Sequence, residues 1–409
     1  MERYQLPVRK FINNHLYSDT LKLALQKSPF PDIPMRELLL QIEGKRKAKE
    51  KIPSFFQTDD IVYPLSVSME QCSSEQTSLY KASLCGGNQL VDLTGGFGVD
   101  TWMFSKKFDN VVYCEKDENL VNIARHNFSV LQAQNIDIQQ GDGIDFLKQQ
   151  QQSFDWIYID PSRRDQHNRK MQALSDCMPN VVENLDVLFR YGNRIMLKTS
   201  PMLDIDKAIS ELKQVEAIHI VAVKNEVREV LYVLHHTIFN GEKQNFSPLK
   251  MFAVNILPDA TQSFSFSKDE LHEAKVAFST PLAFLYEPNA AVMKSGAFNL
   301  VSARFNIFKL HRNSHLYTSD SYVADFPGRV FKIKETLAYK PVKDLSQANV
   351  SVRNFPDTPD EVRKKLKLRD GGDVFLFCTT LVNEKPTMIR CERLSQKNTD
   401  DTDGTDFHR

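Results

Sequence analysis

Residues 88–235 alternate short apolar runs with helical stretches, then close on two apolar runs that only a few residues separate. The strand patterns lie at 89–93, 110–115, 136–140, 154–160 and 193–198, with helical patterns at 99–107, 118–134 and 173–189. Short apolar strands separated by helices imply a parallel sheet covered on both faces. The runs at 216–224 and 229–235 lack room for a parallel crossover and must pair as an antiparallel hairpin. The expected fold class is therefore α/β: a Rossmann-like sheet of seven strands ending in an antiparallel hairpin. A dinucleotide dehydrogenase would normally finish with another crossover, so this ending counts against one.

The flanks read differently. Residues 1–85 are expected to be a helical N-terminal region, with leucines set among charges and Ser73-Ser-Glu-Gln76 resembling a capping box that opens a helix to about Leu84. The sheet domain should then occupy 86–240. A small α+β module is expected at 241–325, with strand-like 246–266 and a helix at 269–278. A second α+β unit follows at 326–394, with strands at 329–335, 348–353, 373–381 and 387–393 around a helix at 359–367. The polar, acidic stretch 395–409 reads as a disordered tail.

The chemistry concentrates at the ends of the first four strands. Asp92-Leu-Thr-Gly-Gly-Phe-Gly-Val-Asp100 joins the first strand to the first helix, where Gly95, Gly96 and Gly98 let a ligand approach the backbone. Ligands of open α/β sheets bind at the carboxyl ends of strands. The dinucleotide pattern G-x-G-x-x-G needs a glycine where Thr101 stands. The acid Asp92 suits a cofactor that carries a cation better than a pyrophosphate. Glu115 closes the second strand, where an acid accepts hydrogen bonds from ribose hydroxyls. Asp142 closes the third, where a carboxylate receives an adenine amino group. Asp92, Thr94, Gly95, Gly96, Gly98, Asp100, Glu115, Lys116, Asp142, Gly143 and Asp160 are thus the candidate cofactor residues. Asp160-Pro-Ser-Arg-Arg164 ends the fourth strand. The Asp160 carboxylate and the Pro161 carbonyl can accept hydrogens from an amine nucleophile and aim its lone pair, while Arg163 and Arg164 can grip a phosphate. Asp160, Pro161, Ser162 and Arg163 are the candidate catalytic residues. Lys198, at the end of the fifth strand, either lines the pocket or caps the strand, and Gln71 lies within reach of it from the N-terminal side.

Together these features resemble the class I S-adenosylmethionine-dependent methyltransferases. More narrowly, Met69-Glu-Gln-Cys-Ser-Ser-Glu-Gln76, the D-x-T-G-G-x-G-x-D loop and D-P-S-R-R resemble a bacterial methyltransferase family with a C-terminal THUMP-like domain. Tyr286-Glu-Pro-Asn-Ala-Ala-Val-Met-Lys-Ser-Gly296 fits its small ferredoxin-like module, and 326–393 is similar to the THUMP-like part. The resemblance implies S-adenosyl-L-methionine as cofactor and, because THUMP domains accompany RNA modification, RNA as substrate. The uridine-C5 RNA methyltransferases place a nucleophilic cysteine after the fifth strand. The matching stretch here, Lys198-Thr-Ser-Pro201, has none, so direct transfer to a nitrogen is expected.

Composition bounds these readings. Fifty-two basic and fifty-two acidic residues cancel, so any nucleic-acid surface must be a local patch. Candidates are Arg353, Arg363, Lys364, Lys365, Lys367 and Arg369, with Arg304, Lys309 and Arg312 in the middle module. The zero net charge equally suits a methyltransferase for a small molecule or a protein, and an RNA-binding protein with a vestigial cofactor fold is a third reading. Six scattered cysteines, none in a C-x-x-C pair, predict no metal site and reduced thiols. With no apolar run of about 18 residues and no signal-peptide pattern, we expect no membrane partner and a cytoplasmic protein.

Overall fold

The computed structural model describes residues 6–163, 173–235 and 248–394. The expected tail, 395–409, lies outside them, as does Arg164. The chain divides into two compact units, Met1–Val223 with Arg228–Ser247 and Lys224–Val227 with Pro248–Arg409.

The first unit opens with six helices: α1 (Leu6–Asn14), α2 (Thr20–Ala24), α3 (Met35–Lys51), α4 (Pro53–Gln57), α5 (Ser66–Gln71) and α6 (Glu75–Leu84). Val8, Ile12, Leu23, Ile33, Met35, Leu38 and Ile42 form an apolar core between the first three. Asn127 fixes this region to the sheet domain by accepting from the Val62 amide and donating to the Val62 carbonyl, both at 2.9 Å. The cap of α6 is Ser74, whose hydroxyl accepts from the Thr77 amide at 3.2 Å, and not Ser73 as the capping-box pattern suggests. Ser73 is freed for another contact, described below.

The sheet is built from β1 (Gln89–Asp92), β2 (Asn110–Glu115), β3 (Ile136–Gln140), β4 (Phe154–Ile159), β5 (Gly192–Thr199), β6 (Val215–Val223) and β7 (Glu226–His235). Their order is β3-β2-β1-β4-β5-β7-β6. The first five run parallel, and β7 returns antiparallel to β5. Lys224 and Asn225, both at positive φ, make the two-residue turn between β6 and β7, the conformation a tight hairpin demands. The expected terminal hairpin is therefore present, with its second strand inserted beside β5. Between the strands lie α7 (Val99–Phe104), α8 (Glu118–Val130), α9 (Gly143–Lys148), α10 (Leu185–Tyr191) and α11 (Ile205–Leu212).

One expected helix, 173–189, does not form as such. A 3-10 turn at Leu174–Asp176 leads into Cys177–Met178, which pairs antiparallel with Ser162–Arg163, and a helix begins only at Leu185. Pro179 explains the break: it has no amide hydrogen to give a helix and disfavours helical backbone at the residue before it. The helix expected at 99–107 stops at Phe104, and the one expected at 118–134 stops at Val130, before Gln132 turns to φ 57.

In the second unit β8 (Lys250–Ile256) pairs antiparallel with β9 (Thr261–Ser267), where the Ser/Phe alternation buries Phe264 and Phe266. A short helix, α12 (Lys268–Glu273), follows, ending before the expected 278. A separate seven-stranded sheet comprises β10 (Phe284–Pro288), β11 (Phe308–Lys309), β12 (Tyr317–Ser319), β13 (Gly328–Ala338), β14 (Asn349–Arg353), β15 (Val374–Thr380) and β16 (Pro386–Arg393). Its order is β11-β12-β10-β13-β16-β15-β14. Only β14 and β15 pair in parallel, with helix Pro359–Leu366 crossing between them.

Candidate functional site

The loop after β1 is held by contacts that only glycine permits. A Cβ on Gly95 would lie 2.1 Å from a ring carbon of Tyr113, and one on Gly98, at φ +85, would meet the Phe128 ring at 2.6 Å. Tyr113 closes the loop by donating its hydroxyl to the Gly96 carbonyl at 2.7 Å. The Gly96 amide donates to Glu115 Oε2 at 2.9 Å, so the end of β2 and the glycine loop touch directly. Glu115 Oε1 accepts from the Asp117 amide at 2.9 Å.

Asp142 caps α9, accepting from the amides of Ile144 at 2.8 Å and Asp145 at 3.1 Å, and pairs with the ammonium of Lys116. Burial works against its charge, but Lys116 and these amides outweigh that and hold its carboxyl below the ordinary value. Gly143 packs so closely that a Cβ would stand 2.6 Å from the Leu93 carbonyl, which brings the loops after β1 and β3 together.

Asp92 is buried, accepting from the Thr94 amide at 3.0 Å and the Thr101 hydroxyl at 2.6 Å. Burial pushes its carboxyl up to about 7; Asp100 and Asp160 add to the rise and the two hydrogen bonds oppose it. A buried acid with two further acids near it is the environment that a cationic ligand would relieve. Thr94 also links this loop to the fourth strand, because its hydroxyl accepts from the Asp160 amide at 2.7 Å. The structure thus gathers Asp92, Thr94, Gly95, Gly96, Glu115, Lys116, Asp142, Gly143 and Asp160 at the carboxyl ends of β1 to β4. Pro161 is half-buried and Ser162 exposed beyond them. Gln71 is exposed at the end of α5.

Asp100, expected among the cofactor residues, is engaged elsewhere. Its Oδ1 accepts from Ser78 at 2.5 Å and pairs with Lys81 at 3.1 Å; its Oδ2 accepts from Ser73 at 2.7 Å and Tyr158 at 2.8 Å. Those four partners use the acceptor capacity of a carboxylate. Burial opposes its charge, yet Lys81, Lys198 and the serines hold it down at about 2. Its work is to bind α6 to α7.

Sequence reasoning missed the group behind it. Lys81 is fully buried and donates to Ser73 at 2.7 Å and to both oxygens of Glu229 at 3.1 and 3.0 Å. Burial raises the carboxyl of Glu229 above its ordinary value, against the pull of Lys81 and Lys198. Lys198 joins Asp160 in an ion pair. Burial disfavours its ammonium, but Asp160, Glu229 and Asp100 outweigh it and raise Lys198 above an ordinary lysine. One signal was available: Glu229 is a lone acid opening an otherwise apolar strand run.

The cations proposed for phosphate contact are largely committed. Arg353 pairs with buried Glu287, Arg363 with Asp360 and Asp370, Lys365 with Asp357, and Arg304 with Glu270. Lys309 is buried and donates to the Arg312 carbonyl at 3.0 Å. Lys364, Lys367, Arg369 and Arg312 are exposed. Among the described residues no group of three or more His, Cys, Asp and Glu side chains could hold a metal ion, and no helix is long and apolar enough to cross a membrane.

A family model for a ferredoxin-like domain matches residues 284–327, and one described as THUMP domain-like matches 328–393. Two solved structures described as putative methyltransferases are similar. One, from Porphyromonas gingivalis W83, is 29% identical with TM-score 0.82 and covers 95% of this chain and 98% of its own. The other, a class I S-adenosylmethionine-dependent protein from Listeria monocytogenes, is 11% identical with TM-score 0.38, covering 62% and 94%. An rRNA methylase from Streptococcus thermophilus matches at 12% identity and TM-score 0.29, covering 39% and 93%. Over nearly the full length of both chains, this chain shares the fold of the Porphyromonas gingivalis protein. None of the curated proteins matches the sequence.

Proposed function

Proceeding from a class I methyltransferase fold followed by ferredoxin-like and THUMP-like modules, we propose that this chain transfers a methyl group from S-adenosylmethionine to a nitrogen of an RNA base. The observation that carries the reading is the ring of strand-end carboxylates, Asp92, Glu115 and Asp142, around the Gly95–Gly98 turn. The residues fit the cofactor chemically: Glu115 offers acceptors to ribose hydroxyls, Asp142 to an adenine amine, and buried Asp92 gains from a neighbouring positive charge. When bound, the cofactor supplies a methyl group on a sulfonium, a leaving group good enough that the protein has mainly to position the acceptor.

Positioning falls to Asp160 and Pro161. The Asp160 amide is fixed on Thr94 and its carboxylate on Lys198, so its free acceptor positions have one orientation. Direct transfer is supported by the cysteines. Residues 198–201 contain none, and burial pushes the half-buried Cys72 thiol above its ordinary value, away from the thiolate a covalent mechanism needs. The THUMP-like match supports RNA as the acceptor, a cytoplasmic location fits that substrate, and the exposed Lys364, Lys367 and Arg369 are the cations to contact it. In the same reading the N-terminal helices occupy 1–85, the catalytic domain 86–240, and the two smaller modules 241–325 and 326–394.

A second reading, a small-molecule or protein acceptor, draws on the pairing of so many module cations with acids. Nucleoside mass spectrometry of RNA from cells with and without the gene separates the two: a methylated nucleoside should disappear with the gene. An unchanged set of methylated nucleosides would remove the RNA reading. Asp160→Ala should keep cofactor binding and lose transfer; turnover at the wild-type rate would remove its assigned role.

A further inference from the structure

Strand register brings a lysine to the carboxylate that aims the acceptor. In the parallel pair of β4 and β5, Ile159 lies beside Leu197, so Asp160 and Lys198 leave the sheet as neighbours and their side chains meet. In the antiparallel pair of β5 and β7, Lys198 lies opposite Leu231. Glu229, two residues from Leu231, therefore shares the face of Lys198 at the diagonal position. Behind it, Lys81 joins Glu229 to Asp100. Five charged side chains, Asp160 just after β4, Lys198 on β5, Glu229 on β7, Lys81 on α6 and Asp100 on α7, thus make two ion-paired sets, Asp160–Lys198 and Glu229–Lys81–Asp100. The charges of Glu229 and Asp100 act on Lys198 across the gap between them, and the five are buried except where Lys198 and Asp160 reach the edge at 12% and 33% exposure.

Ion pairs in such surroundings contribute little net stability, and apolar residues of similar volume often serve as well. Their location at the acceptor's entry gives them another use. We propose that Lys198 is a positioning residue for methyl transfer, backed by the Glu229–Lys81–Asp100 group; this rests on the methyltransferase reading above. Lys198 occupies Oδ2 of Asp160, and Oδ1 remains to accept the hydrogen of the acceptor amine. With the Asp160 backbone amide tied to Thr94 as well, the residue is held through both its main chain and its side chain. In the step so aimed, the acceptor nitrogen bonds to the methyl carbon as the carbon–sulfur bond breaks, the electron pair goes to sulfur, and the acceptor's proton passes to water. Glu229 offsets the lysine's charge from the other side, so Lys198 need not leave Asp160 for solvent.

The test uses the full chain, labelled S-adenosylmethionine and RNA from cells lacking the gene, comparing wild type with Lys198→Met and Lys198→Arg. Calorimetry gives cofactor affinity and label incorporation gives the transfer rate at saturating cofactor. We expect Lys198→Met to bind cofactor within about threefold of wild type but to transfer about 100-fold more slowly, the scale of a small misplacement of a reacting group. Lys198→Arg should regain at least part of the rate. Wild-type turnover by Lys198→Met overturns the proposal, and so does parallel loss of affinity and rate, which would make Lys198 part of the cofactor site or the fold. If wild type binds cofactor yet labels no RNA, the RNA reading fails by itself. The same comparison is then made on the protein and metabolite fractions of those cells, where the same split between affinity and rate is expected and its absence overturns the proposal.

Discussion

Replacing Asp92 with asparagine should make the protein more stable and the site worse. The Asp92 carboxyl titrates at an ordinary 3.8 when unfolded and at about 7 in the folded chain, so between those values the folded state holds the proton more tightly. Stability tied to this group is fully present below 3.8 and is lost as pH rises to 7. Three units at about 1.4 kcal/mol each put the cost of ionised Asp92 at up to about 4 kcal/mol at pH 8. The amide of Asp92→Asn would keep an oxygen for the Thr94 amide and escape that cost. Both tryptophans, Trp102 and Trp156, belong to the first unit, so their fluorescence during urea unfolding reports on it. The variant's gain should be about 2–3 kcal/mol larger at pH 8 than at pH 5, while its affinity for S-adenosylmethionine falls. A variant less stable than wild type at every pH, or a gain independent of pH, would refute the reasoning.

Wild-type affinity for S-adenosylmethionine should rise with pH up to about 7 as Asp92 ionises, and calorimetry in buffers of different ionisation enthalpy should detect a released proton near pH 6. Gly95→Ala forces a Cβ against the buried Tyr113 ring and should lower stability by about 1–3 kcal/mol while abolishing cofactor binding, read by thermal unfolding with and without ligand. Lys81→Met leaves Glu229 and Asp100 buried without their cation and should cost about 3–5 kcal/mol. Adding Glu229→Gln should restore part of that in a denaturation double-mutant cycle, and strict additivity would show that the pair does not act as a unit.

What could be read from the sequence was local. Strand ends, the glycine loop and the terminal hairpin follow from patterns of a few residues, and Asp92, Glu115, Asp142 and Asp160 stand at the ends of their strands as expected. Where a neighbour far along the chain decides the outcome, the pattern misleads. Ser73 looked like a helix cap because nothing nearby indicates that its hydroxyl serves Asp100, 27 residues away. Asp100 looked like a cofactor ligand because it belongs to the loop motif, yet α6 claims it. The Lys81–Glu229 contact spans 148 residues and has no local signature. The helix expected at 173–189 was a local misreading, in which apolar spacing outweighed Pro179.

The most direct test of the central claim is a calorimetric titration of S-adenosylmethionine into the purified protein and into Glu115→Ala at pH 8. Glu115 bridges the Gly96 amide to the end of β2, so the account predicts one molecule bound per wild-type chain and a large loss of affinity in the variant. Absence of binding to wild type, or equal affinity in both, would contradict it.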